Sequence, residues 1–169
     1  MKNISVLLFL LITLALNAQN NKTSGLNARQ FHKYWKVESE SPDYKVTFLG
    51  DTVEILSPKG LTLWRKEKMS GKVTIEYDAC VVVEVEGDRL SDLNCFWMAS
   101  DPQYPDNIWK REKWRSGIFL NCYSLQLYYM GYGGNHNSTT RFRRYDGNEA
   151  AITNAKARPA ILKEYTDAD

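Results

Sequence analysis

Metal chemistry is what this chain is least equipped for. Its 169 residues include two histidines, His32 and His136, and three cysteines, Cys80, Cys95 and Cys122. None of them stands at the spacing of a zinc site. Neither charge dominates, with 22 Lys and Arg against 20 Asp and Glu. The two signs are interspersed, so the basic footprint of a nucleic-acid-binding protein is missing. No apolar run reaches the roughly 20 residues that a membrane-spanning helix needs. The longest, 4–16, follows Lys2 and precedes the small Ala18 and the polar Gln19-Asn20-Asn21-Lys22. That is the layout of a secretory signal peptide over residues 1–18. Leu16 occupies a position where a small residue is usual, which leaves an uncleaved N-terminal anchor as the alternative. No cysteine lies near the cut to carry a lipid. The mature chain is therefore expected to be periplasmic or secreted, with no membrane span.

Removal of the leader leaves about 150 residues, the size of one domain. Residues 19–30 are polar and aperiodic and read as a linker, and 31–169 as a single β domain. Export permits oxidation, so one cysteine pair could bridge. Buried free thiols are the plainer reading.

From residue 31 onward, short runs of β-formers alternate with turn residues. They are 34–38, 45–49, 52–56 and 61–65, punctuated by Ser41-Pro42-Asp43, Gly50-Asp51 and Ser57-Pro58-Lys59-Gly60. The longest candidate is 72–86, where Val73, Ile75, Tyr77, Ala79, Val81, Val83 and Val85 alternate with mostly polar positions. Further strands are expected at 93–99, 118–129 and 140–145. The pattern predicts an all-β sandwich or barrel. Residues 101–117 lack strand character. Asn107 is placed to cap a short helix through Trp114 with its charges outward, and a long aromatic loop of this kind is a usual place for function. The run 160–165 reads as a strand or turn, and a sandwich of this style would be expected to continue beyond it.

Three runs carry a resemblance: Tyr77-Asp-Ala-Cys-Val-Val-Val-Glu-Val-Glu86, Asp92-Leu-Asn-Cys-Phe-Trp-Met-Ala-Ser-Asp-Pro102 and Tyr128-Tyr-Met-Gly-Tyr-Gly-Gly-Asn-His-Asn137. The last is followed by Thr140-Arg-Phe-Arg-Arg-Tyr-Asp-Gly147. Together they resemble domain-of-unknown-function family 6250 (DUF6250), exported proteins of Bacteroidetes, over roughly residues 34–165. The resemblance implies a jelly-roll sandwich of the concanavalin A-like lectin and glucanase type. It also implies a link to glycan breakdown, with a polysaccharide or oligosaccharide as partner. It carries over no catalytic residues.

The residues themselves offer two chemistries. Gly131, Gly133 and Gly134 allow an irregular path into Asn135-His136-Asn137. Beyond it Arg141, Arg143 and Tyr145 alternate onto one strand face, with Phe142 and Arg144 on the other. With Tyr128 and His136 leaning toward the arginines, this set suits a polysaccharide lyase acting on a uronate-containing glycan. Arginine neutralises the uronate carboxylate, while histidine or tyrosine moves protons. The expected catalytic residues are His136, Tyr128, Arg141, Arg143 and Tyr145, with Asn94, Trp97, Trp109 and Asn135 contacting sugar. The alternative chemistry is a glycoside hydrolase using Glu76 and Asp78, which share a strand face. A non-catalytic glycan-binding module stacking sugars on Trp97, Trp109 and Trp114 is the reading from another class, and a truncated, inactive fragment is the third. No cofactor is expected, although a structural calcium held by Asp101 and Asp106 would suit oxygen ligands.

Overall fold

A computed structural model describes residues 28–166 apart from 51, 89 and 91. The expected leader and most of the expected linker lie outside the described residues. Among the described residues no helix is long and apolar enough to cross a membrane. The chain is mostly antiparallel β-structure with helices of a single turn or little more.

Two small sheets come first. Strand β1 (Trp35–Ser39) pairs with β4 (Leu61–Arg65), and the hairpin β2 (Lys45–Leu49) and β3 (Thr52–Leu56) is nested between them in sequence. These follow the expected runs closely because Gly and Pro punctuate each one. The larger sheet holds four strands in the order β5 (Leu93–Ser100), β6 (Gln126–Gly133), β7 (Thr139–Asp146) and β8 (Ile161–Thr166).

One core joins the β1–β4 sheet to the four-stranded sheet. Trp64 of β4 stacks on Phe96 of β5 with centroids 5.9 Å apart. Beneath lie Tyr123, Leu125, Leu127, Tyr129 and Tyr145, with Cys122 and Ala151. Leu125 is fully buried, and each such leucine stabilises the fold by about 2 kcal/mol. Gly117, at φ +70°, passes so close to β1 that a Cβ would lie 2.8 Å from the Ser39 Cα, so only glycine fits there.

Four expectations are corrected. Residues 72–86 do not form the long strand that their alternation predicts, and no backbone ladder joins them to a neighbour among the described residues. Val73, Ile75, Val83 and Val85 are consequently exposed rather than core. At the far end Asp88 Oδ2 accepts from the backbone N–H groups of Glu84 at 2.8 Å and Val85 at 3.0 Å. A side chain thus takes donors that a ladder would have used. The expected strand 118–129 starts instead as a 3-10 helix, Phe119–Ser124, because Phe119, Cys122 and Tyr123 reach the core at helical spacing. The 101–117 segment does contain the expected turns, with Asn107 Oδ1 accepting from Trp109 N at 3.1 Å. Its charges are not all outward, however: within the expected helix Arg111 turns in to the buried Asp101, and the residue just past it is buried too. Arg115 is fully buried, and its guanidinium donates to both carboxylate oxygens of Glu38 at 3.2 and 2.6 Å, and to the Ile108 carbonyl at 2.8 Å. The cysteines are free thiols, but only Cys122 is buried, Cys95 being half-buried and Cys80 exposed.

Candidate functional site

Register decides which side chains can meet. Across β5, β6 and β7 the cross-strand partners run Phe96–Tyr129–Arg143 and Asn94–Gly131–Arg141. Period two places these residues on one face of the sheet. At Leu127 and Tyr145 that face is core, and it becomes polar toward Asn94 and Arg141.

Gly131 is what lets Tyr129 bridge the two rows. A Cβ at 131 would collide with the Tyr129 hydroxyl and ring. With glycine there, the ring lies along its own strand and its hydroxyl donates to Asn94 Oδ1 at 2.9 Å. Burial pushes the Tyr129 phenol up to about 12, Asp92 adding to the shift while Arg143 and Arg141 oppose it. The hydroxyl is a proton-bearing group throughout the neutral range.

The arginines are positioned around it. Arg141 Nε pairs with Glu164, and its terminal nitrogens reach Asn135 at 3.1 and 3.2 Å when the amide oxygen is turned toward them. Arg143 donates one N–H to the Pro159 carbonyl at 2.9 Å. Asn135 itself belongs to the β6–β7 connection, where Asn135, His136 and Asn137 take φ values of 51°, 60° and 61°. Left-handed backbone costs a non-glycine residue roughly 1–2 kcal/mol, least for Asn. The turn is held by Ser138, whose N–H donates to the Gly134 carbonyl at 3.0 Å and whose hydroxyl donates to the Asn135 carbonyl at 2.8 Å. His136 is exposed on this turn.

The other face of the same sheet is aromatic. Trp97, Tyr128 and Phe142 are half-buried. Their centroids stand 5.8 to 6.0 Å apart and their planes lie within 9° to 20° of parallel. Three near-equal separations form a triangle of rings rather than a column. Arg144 lies 6.0 Å over the Tyr128 ring. A shallow hollow of about 250 Å³ adjoins it, lined by Met98, Gln126, Tyr128, Arg144 and Asp146 among others. A larger hollow of about 430 Å³ opens beside β1, but Lys36 on its wall is already paired with Glu112.

Residues 55–169 match the model of a family described as a domain of unknown function, DUF6250. The chain belongs to the DUF6250 family. No curated protein and no solved structure matches it. The DUF6250 region begins inside β3 and takes in the whole four-stranded sheet with both of its faces. Glu38, the partner of the buried Arg115, precedes it.

The structure gathers Asn94, Asn135, Arg141 and Arg143 at one end of one face, with His136 on the adjoining turn. It does not bring Tyr128 there. Tyr128 is one residue out of phase with the arginines' partners and projects on the aromatic side, and Tyr129 takes the expected place. Tyr145 shares the arginines' face but is core, 1% exposed, with its ring 4.7 Å from that of Tyr123 and its phenol raised strongly by burial. Trp109 packs against the core under Lys36, and Trp114 is exposed beneath Arg111. Glu76 and Asp78 are exposed on the unpaired segment. Asp101 is fully buried, and both of its oxygens accept from Arg111 at 2.7 and 2.8 Å, whereas Asp106 is exposed. Among the described residues no three His, Cys, Asp or Glu side chains cluster as a metal ion would require.

Tyr129 was missed in the sequence although a signal for it existed. A hairpin turning through 134–138 pairs 131 with 141 and 129 with 143, which puts odd-numbered β6 residues beside Arg141 and Arg143.

Proposed function

We propose that this protein is an exported carbohydrate-active enzyme, a lyase that cleaves a uronate-containing polysaccharide by β-elimination. In this reading the four-stranded sheet is part of a jelly-roll sandwich of the concanavalin A type. The observation that carries the proposal is the Tyr129 hydroxyl, buried, neutral and held on Asn94, directly across the ladder from Arg143.

Each group has a role that its setting supports. Arg143, with one N–H taken by Pro159 among the described residues, binds the uronate carboxylate and draws charge from it, which acidifies the C5 proton. His136 removes that proton. The C5–H electron pair forms the C4–C5 double bond, the C4–O4 bond breaks, and Tyr129 delivers its proton to O4. One proton leaves C5 and one arrives at O4, so no water enters. A phenol raised to about 12 suits the acid role, because it keeps its proton until the leaving oxygen develops charge. Asn94 orients the hydroxyl, and Asn135 with Glu164 holds Arg141 in place. The hydrolytic alternative has less behind it, since Glu76 and Asp78 are solvated on a segment with no enclosing wall.

The test is incubation of purified protein with alginate, polygalacturonate and glucuronan, following the ultraviolet absorbance of an unsaturated uronide and the release of reducing ends in parallel. Absorbance that disappears in Tyr129→Phe and falls in Arg143→Gln supports the mechanism. Reducing ends without absorbance, or a Tyr129→Phe variant of undiminished rate, refutes it.

A further inference from the structure

We infer that the aromatic face of the four-stranded sheet is a second, separate glycan-binding surface, whose ligand is an acidic polysaccharide chain. It shares with the preceding proposal only the class of ligand and does not depend on cleavage. The register places Tyr128, Met130 and Tyr132 of β6 in one row on this side, opposite the Tyr129 centre. The row spans about 13 Å at the rise of a strand, long enough for more than one pyranose ring. Met130 and Tyr132 are exposed at 38% and 56%, and the triangle of Trp97, Tyr128 and Phe142 lies at the end of this row nearer Gln126. A contiguous apolar strip of this kind on an exported domain marks a binding surface.

Charge selects the occupant. Arg144 and Lys163 are both exposed and flank the rings, lying 6.0 Å over Tyr128 and 5.2 Å over Tyr165 respectively. Neither has an ion pair among the described residues. Of the other guanidiniums near the sheet, Arg111 pairs with Asp101 and Glu149, Arg115 with Glu38, and Arg141 with Glu164, while Arg143 on the opposite face and Arg158 donate to the carbonyls of Pro159 and Ala151. The one carboxylate in the hollow, Asp146, accepts from Asn148 N at 3.1 Å, a bond that does not cancel its charge, so Arg144 and Lys163 set two cations against one anion. Cations without an ion pair, set among half-buried and exposed rings, complement a chain that alternates apolar C–H faces with carboxylates. A lipid surface would instead call for a protruding apolar edge, and a neutral glycan would leave both cations without a partner.

The experiment is affinity electrophoresis and calorimetry of the full mature chain against polygalacturonate and alginate, with dextran as the neutral control. The polyuronates should retard the protein and dextran should not. Trp97→Ala should weaken binding roughly tenfold, as truncation of one desolvated aromatic anchor does. The exposed double change Arg144→Gln/Lys163→Gln should weaken it roughly two- to fivefold per charge and flatten its salt dependence. Because both positions are on the surface, that variant keeps the test alive if Trp97→Ala fails to fold. Polyuronate binding that is insensitive to both changes, or dextran bound equally well, overturns the inference. So does a dimer dispersed by Trp97→Ala without any glycan binding, which would give the face to a second copy. Binding that tracks Trp97 in a protein with no lyase activity upholds this surface while removing the catalytic proposal. Turnover with binding indifferent to this face does the reverse.

Discussion

Glu38→Ala should be among the most destabilising single substitutions in this protein, and the reason is the buried Arg115. The guanidinium has no exposed surface. Its charge is balanced by one carboxylate, through contacts of 2.6 and 3.2 Å, and its stacking partner is Trp64 at 5.8 Å. A guanidinium does not shed its proton within any usable pH range. Removing Glu38 therefore leaves a buried charge whose remaining support is one carbonyl and one ring. The cost of such an uncompensated ion is about 3–5 kcal/mol, a large share of the roughly 5–15 kcal/mol by which a domain is stable. With a urea m-value of about 2 kcal/mol/M, the unfolding midpoint should fall by roughly 1.5–2.5 M. Tryptophan fluorescence during urea titration reads it directly, since Trp64 lies at the site. Replacing both partners, as Glu38→Met/Arg115→Met, should recover most of the loss, because an apolar pair avoids the desolvation of two ions. A Glu38→Ala variant displaced by less than about 1 kcal/mol, the range of a surface ion pair, would refute the assignment of Arg115 to the interior.

Other expectations are simpler to state. Gly131→Ala should remove the Tyr129–Asn94 hydrogen bond, cost about 1–3 kcal/mol through overpacking, and abolish any lyase activity together with it; a variant of native stability and full rate would show that the ring does not lie over position 131. Tyr129, raised from 10 to about 12 by burial, binds its proton more tightly when folded. Its contribution to stability is complete below pH 10 and is lost as pH rises toward 12, so melting curves across that interval should fall less steeply in Tyr129→Phe than in the unaltered chain. Among the cysteines, an aromatic disulfide reagent at neutral pH should label the exposed Cys80 rapidly. Cys122, buried and with its thiol pushed up to about 12, should react only on unfolding. Labelling of Cys122 at the rate of Cys80 in folded protein would contradict its place in the core.

The local fold was legible wherever the chain punctuates itself. Gly50-Asp51 and Pro58-Lys59-Gly60 bound β3 and β4 so tightly that their limits follow from the sequence. The 3-10 helix at Phe119–Ser124 was hidden because its β-forming residues argue for a strand, while the helical spacing of Phe119, Cys122 and Tyr123 argues against it. The 72–86 segment shows the opposite limit. Alternation records which side chains would share a face if the segment were paired, and pairing itself depends on a partner distant in sequence. The candidate site was half legible. Arg141, Arg143, Asn94 and Asn135 could be proposed from residue type, but choosing Tyr129 over Tyr128 required the register of the β6–β7 hairpin. The Glu38–Arg115 pair spans 77 positions in the chain, and nothing local announces it.

The unpaired 72–86 segment also bears on how the protein is handled. It displays a valine-rich alternating run, its Tyr77 side chain reaches Cys95 of β5, and β5 is the edge of its sheet among the described residues. Solvated apolar alternation near a sheet edge is a template for association between chains. Yield and shelf life, more than activity, should therefore respond to changes there. A lysine at Val83 or Val85 should raise the concentration at which the purified protein remains monodisperse.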